Sequence, residues 1–374
     1  MSAKLSLLIV FFLSFSLLAQ EQDFVKVAQH YINGEAAIIG NNIMSAHESK
    51  PFNDFSLIND QVRMTYVDID GEGSTFSSSS ATLEVPYENT KVIKATLYWT
   101  AVYPFAKGSK REKPTEIIYY GSGDREDNIN AIKFKIPEGE YQTVKGSMIF
   151  DGFEQEEFAD SAPYVCYADV TNMLNSNPDF SGEYTVANVR GTQGYVSGGS
   201  AAGWFLFIVY EAEEATSKYI TSYHGFASIN DNSVDLKFSD FKTKEEGKIE
   251  ASIYAATLEG DGKLYRDQCE IKNYKDGSYI PLSNALRPAK NFFNSKISIN
   301  KDYFANRNPN SSNTLGFDLL QIKAPSNLLT NNQTEITLRL GTRADRFYLF
   351  FTAFSIEINE IFQLSKEAIT EEEL

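Results

Sequence analysis

Apolar and polar positions along this chain follow the two-residue period of β-strands far more than the 3.6-residue period of helices. Lys91 to Tyr103 is a run of β-branched and aromatic residues that Pro104 ends. Trp204 to Tyr210 is apolar at every position, as in a strand covered on both faces. Thr334 to Thr342 alternates, with Ile336, Leu338 and Leu340 on one side and Thr337 and Arg339 on the other. Arg346 to Ile358 adds a last long aromatic strand. Turn-forming clusters of Gly, Asn and Asp divide these runs, at Asp70 to Gly73, Gly121 to Asp124, Gly198 to Ser200, Glu259 to Gly262 and Asn306 to Asn313. Helical spacing is confined to Asp169 to Leu174, with Asp169 as cap, and to an acidic tail from Ser365 to Leu374. The serine run Ser77 to Ser80 reads as a loop or edge strand. The prediction is an all-β fold, an antiparallel β-sandwich or jelly roll with few short helices. No repeat of 20–50 residues is present, which excludes solenoids and propellers.

The ends organise the chain. Lys4 precedes an apolar stretch from Leu5 to Leu18, and Ala19 stands before the polar Gln20 to Asp23. That pattern predicts a secretory signal over residues 1–19, too short for a stable membrane span. Residues 20–33 then form a lead, residues 34–360 the β module, and residues 361–374 an acidic tail or linker. About 355 residues remain after cleavage, enough for two lobes or one large sandwich. With no later run of about 20 apolar residues, membrane insertion is not expected. The expected location is secreted or cell-surface. A formal net charge of −16 argues against a nucleic-acid partner, which needs clustered Lys and Arg. The 27 Phe and 21 Tyr suit a β core.

Candidate chemistry is sparse. The three histidines, His30, His47 and His224, show none of the spacings of a zinc site. The glycine-rich Gly198 to Gly203 misses the nucleophile-elbow spacing by one residue. No phosphate-binding loop is present, and a glycosidase carboxylate pair is a three-dimensional fact that spacing does not reveal. Asp68, Asp70 and Glu72 place carboxylates at alternate positions beside a turn glycine, a pattern that suits calcium, but position 79 is Ser where a closing glutamate would stand. Tyr195, with Asn188 and Arg190 nearby, is the candidate ligand-binding group, because loop glycines present a ring for sugar stacking. Cys166 and Cys269 lie about a hundred residues apart, and the spacing leaves a disulfide and two buried thiols both open.

Several segments in order resemble an N-terminal module of large repeat-bearing bacterial surface proteins, often those that leave the cell by type IX export. Gly34 to Asn42, Tyr66 to Gly71 and Thr75 to Ser80 are similar to its opening. Ala95 to Trp99, Tyr164 to Val170, Tyr184 to Asn188, Gly203 to Glu211 and Asn313 to Asp318 follow, and the likeness ends at Ile358. His224 departs from it, standing where an acidic residue is expected before Gly225. The resemblance implies a β-sandwich displayed by an adhesin or gliding-associated filament, without catalytic residues. It leaves the chain as either the N-terminal piece of a longer protein or a stand-alone subunit.

The sequence therefore predicts an exported, adhesin-like surface module, not an enzyme, that binds a glycan, a protein or a surface through rim loops. A subunit of a surface filament or gliding apparatus, assembling with copies of itself or with the filament, is the second reading. A secreted glycoside hydrolase is the third, and it requires two carboxylates facing each other in a cleft.

Overall fold

The computed structural model describes residues 22–177, 179–343 and 346–360. The expected signal, the tail beyond Ile361 and the tail helix lie outside those residues. Within them the chain is antiparallel β-structure in almost every element, as predicted.

An eleven-stranded sheet runs through the middle of the molecule. Its order is Ser147–Asp151, Pro163–Asp169, Lys91–Val102, Ala202–Glu211, Gln22–Asn42, Ser217–Ile229, Phe347–Glu357, Ala251–Gly260, Gly316–Lys323, Ile297–Ile299 and Asp302–Tyr303. The 21-residue strand Gln22–Asn42 joins its two halves. Val25 to Asn33 pair with His224 to Ser217, and Gly34 to Asn42 pair with Glu211 to Gly203. Residues 22–33, set apart in the sequence as a lead, are thus the first half of this strand. The partner changes at Gly34, where a Cβ would stand 2.1 Å from the Tyr210 carbonyl oxygen, so only glycine allows so close an approach.

Smaller sheets cover the outer faces. Arg307–Asn308, Ser78–Leu83, Gly182–Ala187, Ala131–Lys135 and Gln142–Lys145 form one; Ser233–Phe238, Ile336–Gly341, Gln268–Lys272 and Tyr279–Pro281 form another. Three apolar layers result. Trp99, Trp204, Leu206, Phe134 and Tyr184 fill the first, under the five-stranded sheet. Phe354, Ile356, Phe238, Leu338 and Ile271 fill the second, under the four-stranded sheet. Tyr98, Phe205, Phe207, Tyr254, Phe350 and Phe351 fill the third, where the two halves of the large sheet face each other. Phe205 and Phe351 meet there at 4.9 Å between ring centroids, and Phe207 and Tyr254 at 5.4 Å.

This layering accounts for the runs without polar residues. Alternate side chains of a strand leave opposite faces. Trp204, Leu206 and Ile208 enter the first layer, while Phe205, Phe207 and Val209 enter the middle one. The alternating segment Ile336–Gly341 covers only one layer, and its intervening Thr337 and Arg339 stay half-exposed. Asp169 accepts the Thr171 N–H at 2.9 Å at the start of the short helix Thr171–Asn175.

One expectation is corrected and one open alternative is decided. The serine run is no loop or edge: Ser78–Leu83 is a buried strand between Gly182–Ala187 and Arg307–Asn308. Polar residues survive there because each hydroxyl has a partner. Ser78 donates to Asp68, Ser80 to Glu183, and Ser79 accepts the Trp204 indole N–H at 2.8 Å. Cys166 and Cys269 form no disulfide. Both are free and buried, one in the first layer and one in the second, with the middle layer between them. Burial pushes both thiols up, Cys269 to about 12, so neither is a ready nucleophile. No helix among the described residues is long and apolar enough to cross a membrane.

Candidate functional site

Loops at one end of the first sandwich enclose a cavity of about 560 Å³. They leave the strand Lys91–Val102 at its C-terminal end, enter Ser78–Leu83 at its N-terminal end and leave Gly182–Ala187 at its C-terminal end. Antiparallel pairing of Ala187 with Ser78 is what brings the last two together. Tyr66, Phe76 and Tyr103 give the wall its aromatic surface; Glu48, Asp68, Glu126, Lys107, Arg190 and Gln193 supply the polar groups.

Arg190 is the organising residue. Its guanidinium pairs with Glu126 at 2.6 Å and lies 4.9 Å from the centre of the Phe76 ring. Its carbonyl accepts the Tyr164 hydroxyl at 2.7 Å, which fixes the main chain behind it. The Tyr66 and Phe76 rings meet at 5.1 Å, and the Tyr66 hydroxyl donates to the Gly191 carbonyl at 2.8 Å. Burial, aided by neighbouring Tyr103 and Glu126 and opposed by that bond and by Arg190, pushes the Tyr66 phenol up to about 12, so it stays a neutral donor. Tyr103 is buried, and its hydroxyl accepts the Glu126 N–H at 3.2 Å. Asp68 is half-buried and accepts the Ser78 hydroxyl at 2.9 Å, while Glu48 is exposed at the mouth. Aromatic faces, carboxylates and a planar donor in one concavity suit a ligand rich in hydroxyl groups.

The residues singled out in the sequence distribute unevenly around this site. Arg190 and Asp68 both line it. Asn188 stands behind it in a left-handed backbone conformation (φ 66°), where its side-chain oxygen accepts the Phe76 N–H at 2.9 Å and so positions that ring. Tyr195 lies outside the lining, with the Lys110 ammonium 4.6 Å from its ring centre. Tyr66, Phe76, Tyr103, Glu48 and Glu126 were missed. Nothing local marks them among so many aromatic and acidic residues.

The calcium pattern does not close. Among the described residues no group of three or more His, Cys, Asp or Glu side chains is placed to hold a metal ion. Asp70 instead accepts from the Glu72 N–H at 2.9 Å, the Thr75 hydroxyl at 2.9 Å and the Tyr141 hydroxyl at 2.5 Å. Burial alone would push its carboxyl up, but these bonds outweigh burial and hold it below the usual carboxylate range. Asp68 and Asp70 therefore serve as hydrogen-bond acceptors that tie this turn together.

No family model matches the chain, and no curated protein does. Among solved structures it is similar to BuGH86 in complex with neoagarooctaose, at 9% identity and a TM-score of 0.24, over 91% of this chain and 35% of that one. It is also similar to a β-porphyranase of glycoside hydrolase family 86 from the human gut bacterium Bacteroides plebeius, at 9% identity and a TM-score of 0.22, over 79% and 39%. A third is PNGase F, a glycosylasparaginase from Flavobacterium meningosepticum, at 11% identity and a TM-score of 0.20, over 86% and 96%. The chain spans about a third of the length of the family 86 structures. At such values no residue of theirs maps onto a residue here. The expectation that this chain is not an enzyme does not stand, because it rested on an absence. Missing catalytic motifs were its ground, and a carboxylate pair needs no motif.

Proposed function

We propose that this chain is a carbohydrate-processing protein that holds a glycan in the rim cavity and hydrolyses it there. One observation carries the reading. Three aromatic side chains, three carboxylates and the Glu126–Arg190 ion pair converge in one cavity. Aromatic faces stack on the apolar face of a sugar ring, and Arg190 and Gln193 donate to its hydroxyls. Asp68 and Glu126 are the proposed acid and base. Glu126, paired with Arg190, is assigned the part of base or nucleophile, and Asp68, across the cavity lining, that of acid. Export, the expectation drawn from the N-terminal pattern, would carry this chemistry outside the cytoplasm. Surface display, implied by the resemblance to adhesin modules, would bring the cavity to polymeric glycans.

The test is a reducing-end assay of the mature chain on a panel of neutral and anionic polysaccharides, with Asp68→Asn and Glu126→Gln as variants. Turnover that either substitution lowers by about a hundredfold or more, the scale of general acid–base catalysis, supports the assignment. Turnover unchanged in both variants moves the acid and base elsewhere. Binding without turnover on any substrate removes the hydrolytic half of the proposal. No binding at all removes both halves.

A further inference from the structure

The cavity does not end at Glu126. That residue also lines a second concavity of about 300 Å³, shared with Arg125, Asp127, Met148, Asp151, Phe153 and Glu154. Arg125 sits in its floor with its side chain 5% exposed. One guanidinium nitrogen, Nη1, donates to Asp151 at 2.8 Å. The other, Nη2, is buried without a hydrogen-bond partner. A buried guanidinium donor left unpaired is costly, so the segment is incomplete as it stands. The Phe153 ring lies 4.6 Å over the same guanidinium, yet is 47% exposed, an apolar face turned to solvent.

We infer that the two concavities are consecutive segments of one groove, built for a neutral oligosaccharide longer than the first cavity holds. This rests on the glycan reading above and extends it. Phe153 is the stacking platform of the second segment, and Arg125 Nη2 donates to a hydroxyl or ring oxygen of the sugar placed there. Charge selects the class of sugar. Glu48, Asp68, Glu126, Asp127, Asp151 and Glu154 face Lys107, Arg125 and Arg190 along the groove, and Asp151 and Glu126 already occupy the two arginines. The remaining carboxylates, on a chain of net charge −16, repel sulfated or uronic chains. They accept hydrogen bonds from the hydroxyls of a neutral one.

The experiment is calorimetric titration of the mature chain, carrying Asp68→Asn to suppress turnover, with cello-, manno- and neoagaro-oligosaccharides of two to eight units. Carrageenan- and polygalacturonate-derived oligomers of matching length supply the anionic arm. Affinity is expected to rise with length for one neutral series. Phe153→Ala should erase that gain, about tenfold or more, while leaving the shortest bound oligomer unaffected. Glu154→Lys, on the exposed edge of the same segment, should admit the anionic oligomers. If all lengths bind equally, or Phe153→Ala changes nothing, the extension is wrong and the first cavity stands alone. Tighter binding of an anionic series than of its neutral counterpart would overturn the charge argument. If nothing binds at any length, the glycan reading itself fails.

Discussion

Replacing Arg287 should destabilise the protein more than almost any other single exchange. Arg287 is 0% exposed and its partner Asp318 1%, with 2.8 Å between Nη1 and Oδ1. The guanidinium also donates to the Ser298 hydroxyl at 2.8 Å and to the carbonyls of Phe292 (2.7 Å), Lys296 (2.7 Å) and Leu319 (3.2 Å). Asp318 accepts the N–H groups of Asn294, Ser295 and Lys296. The pair therefore pins the loop around residues 284–300 to the strand Gly316–Lys323. Arg287→Met keeps much of the volume, but it takes a donor from the carbonyls of Phe292, Lys296 and Leu319 and leaves a buried carboxylate without its cation. Breaking one side of a buried pair costs about 3–5 kcal/mol. For about 350 residues the entropy of unfolding is about 0.7 kcal/mol/K, so one cooperative transition should fall by about 4–7 °C. Thermal unfolding followed by circular dichroism measures this, with Arg287→Met/Asp318→Leu as the control that removes both charges. The double variant should recover part of the loss, since an apolar pair can replace a buried ion pair. A melting point for Arg287→Met within 1 °C of the parent, or a double variant worse than the sum of the singles, would refute the reasoning.

His224 should make the protein acid-sensitive. It is buried between Tyr98, whose hydroxyl lies 3.3 Å from Nδ1, and the Tyr167 ring, and burial lowers its pKa to about 4. The unfolded chain takes up that proton near 6.5 and the folded chain only near 4. Stability is thus complete above about 6.5 and falls as pH drops towards 4, by at most about 3 kcal/mol. His224→Phe should flatten that part of the stability–pH curve, and an unchanged slope would count against it. Without reductant, the denatured protein should titrate two thiols with a disulfide reagent, while the native protein titrates none. Dithiothreitol should leave the melting point unchanged, whereas a bridge would have contributed about 4 kcal/mol. Asn188→Ala should weaken oligosaccharide binding although the residue lies behind the cavity, because it releases the Phe76 N–H and strains a left-handed backbone. Equal affinity in the variant would show that Phe76 is held by other contacts.

Much of the fold was legible in the chain. Strand identity follows from local steric preference and from which faces are apolar, and both are written in consecutive residues. The unbroken Trp204 to Tyr210 correctly implied burial on two faces, and the alternation from Ile336 correctly implied one. The serine strand was misread because small polar residues lack the apolar signature. Its burial depends on Asp68, Glu183 and Trp204, which arrive from elsewhere in the chain.

Pairing, layering and the site belong to tertiary structure. Nothing near Asn33 and Gly34 announces that one strand exchanges Ser217–Ile229 for Ala202–Glu211. That exchange divides the large sheet into facing halves and consigns Cys166 and Cys269 to separate layers. The cavity gathers residues from position 48 to position 193, brought together by antiparallel pairing of distant strands. Arg190 and Asp68 were singled out because turn chemistry marks loops. Tyr66, Phe76, Tyr103, Glu48 and Glu126 were not, since an aromatic or acidic side chain looks the same in sequence whether it fills a core, faces water or lines a groove. What the chain determined by itself is which stretches extend and which faces are apolar, because those depend on neighbours one or two residues away. Which loops meet, and hence what the protein can hold, depends on contacts between residues more than a hundred positions apart, and only the folded chain decides them.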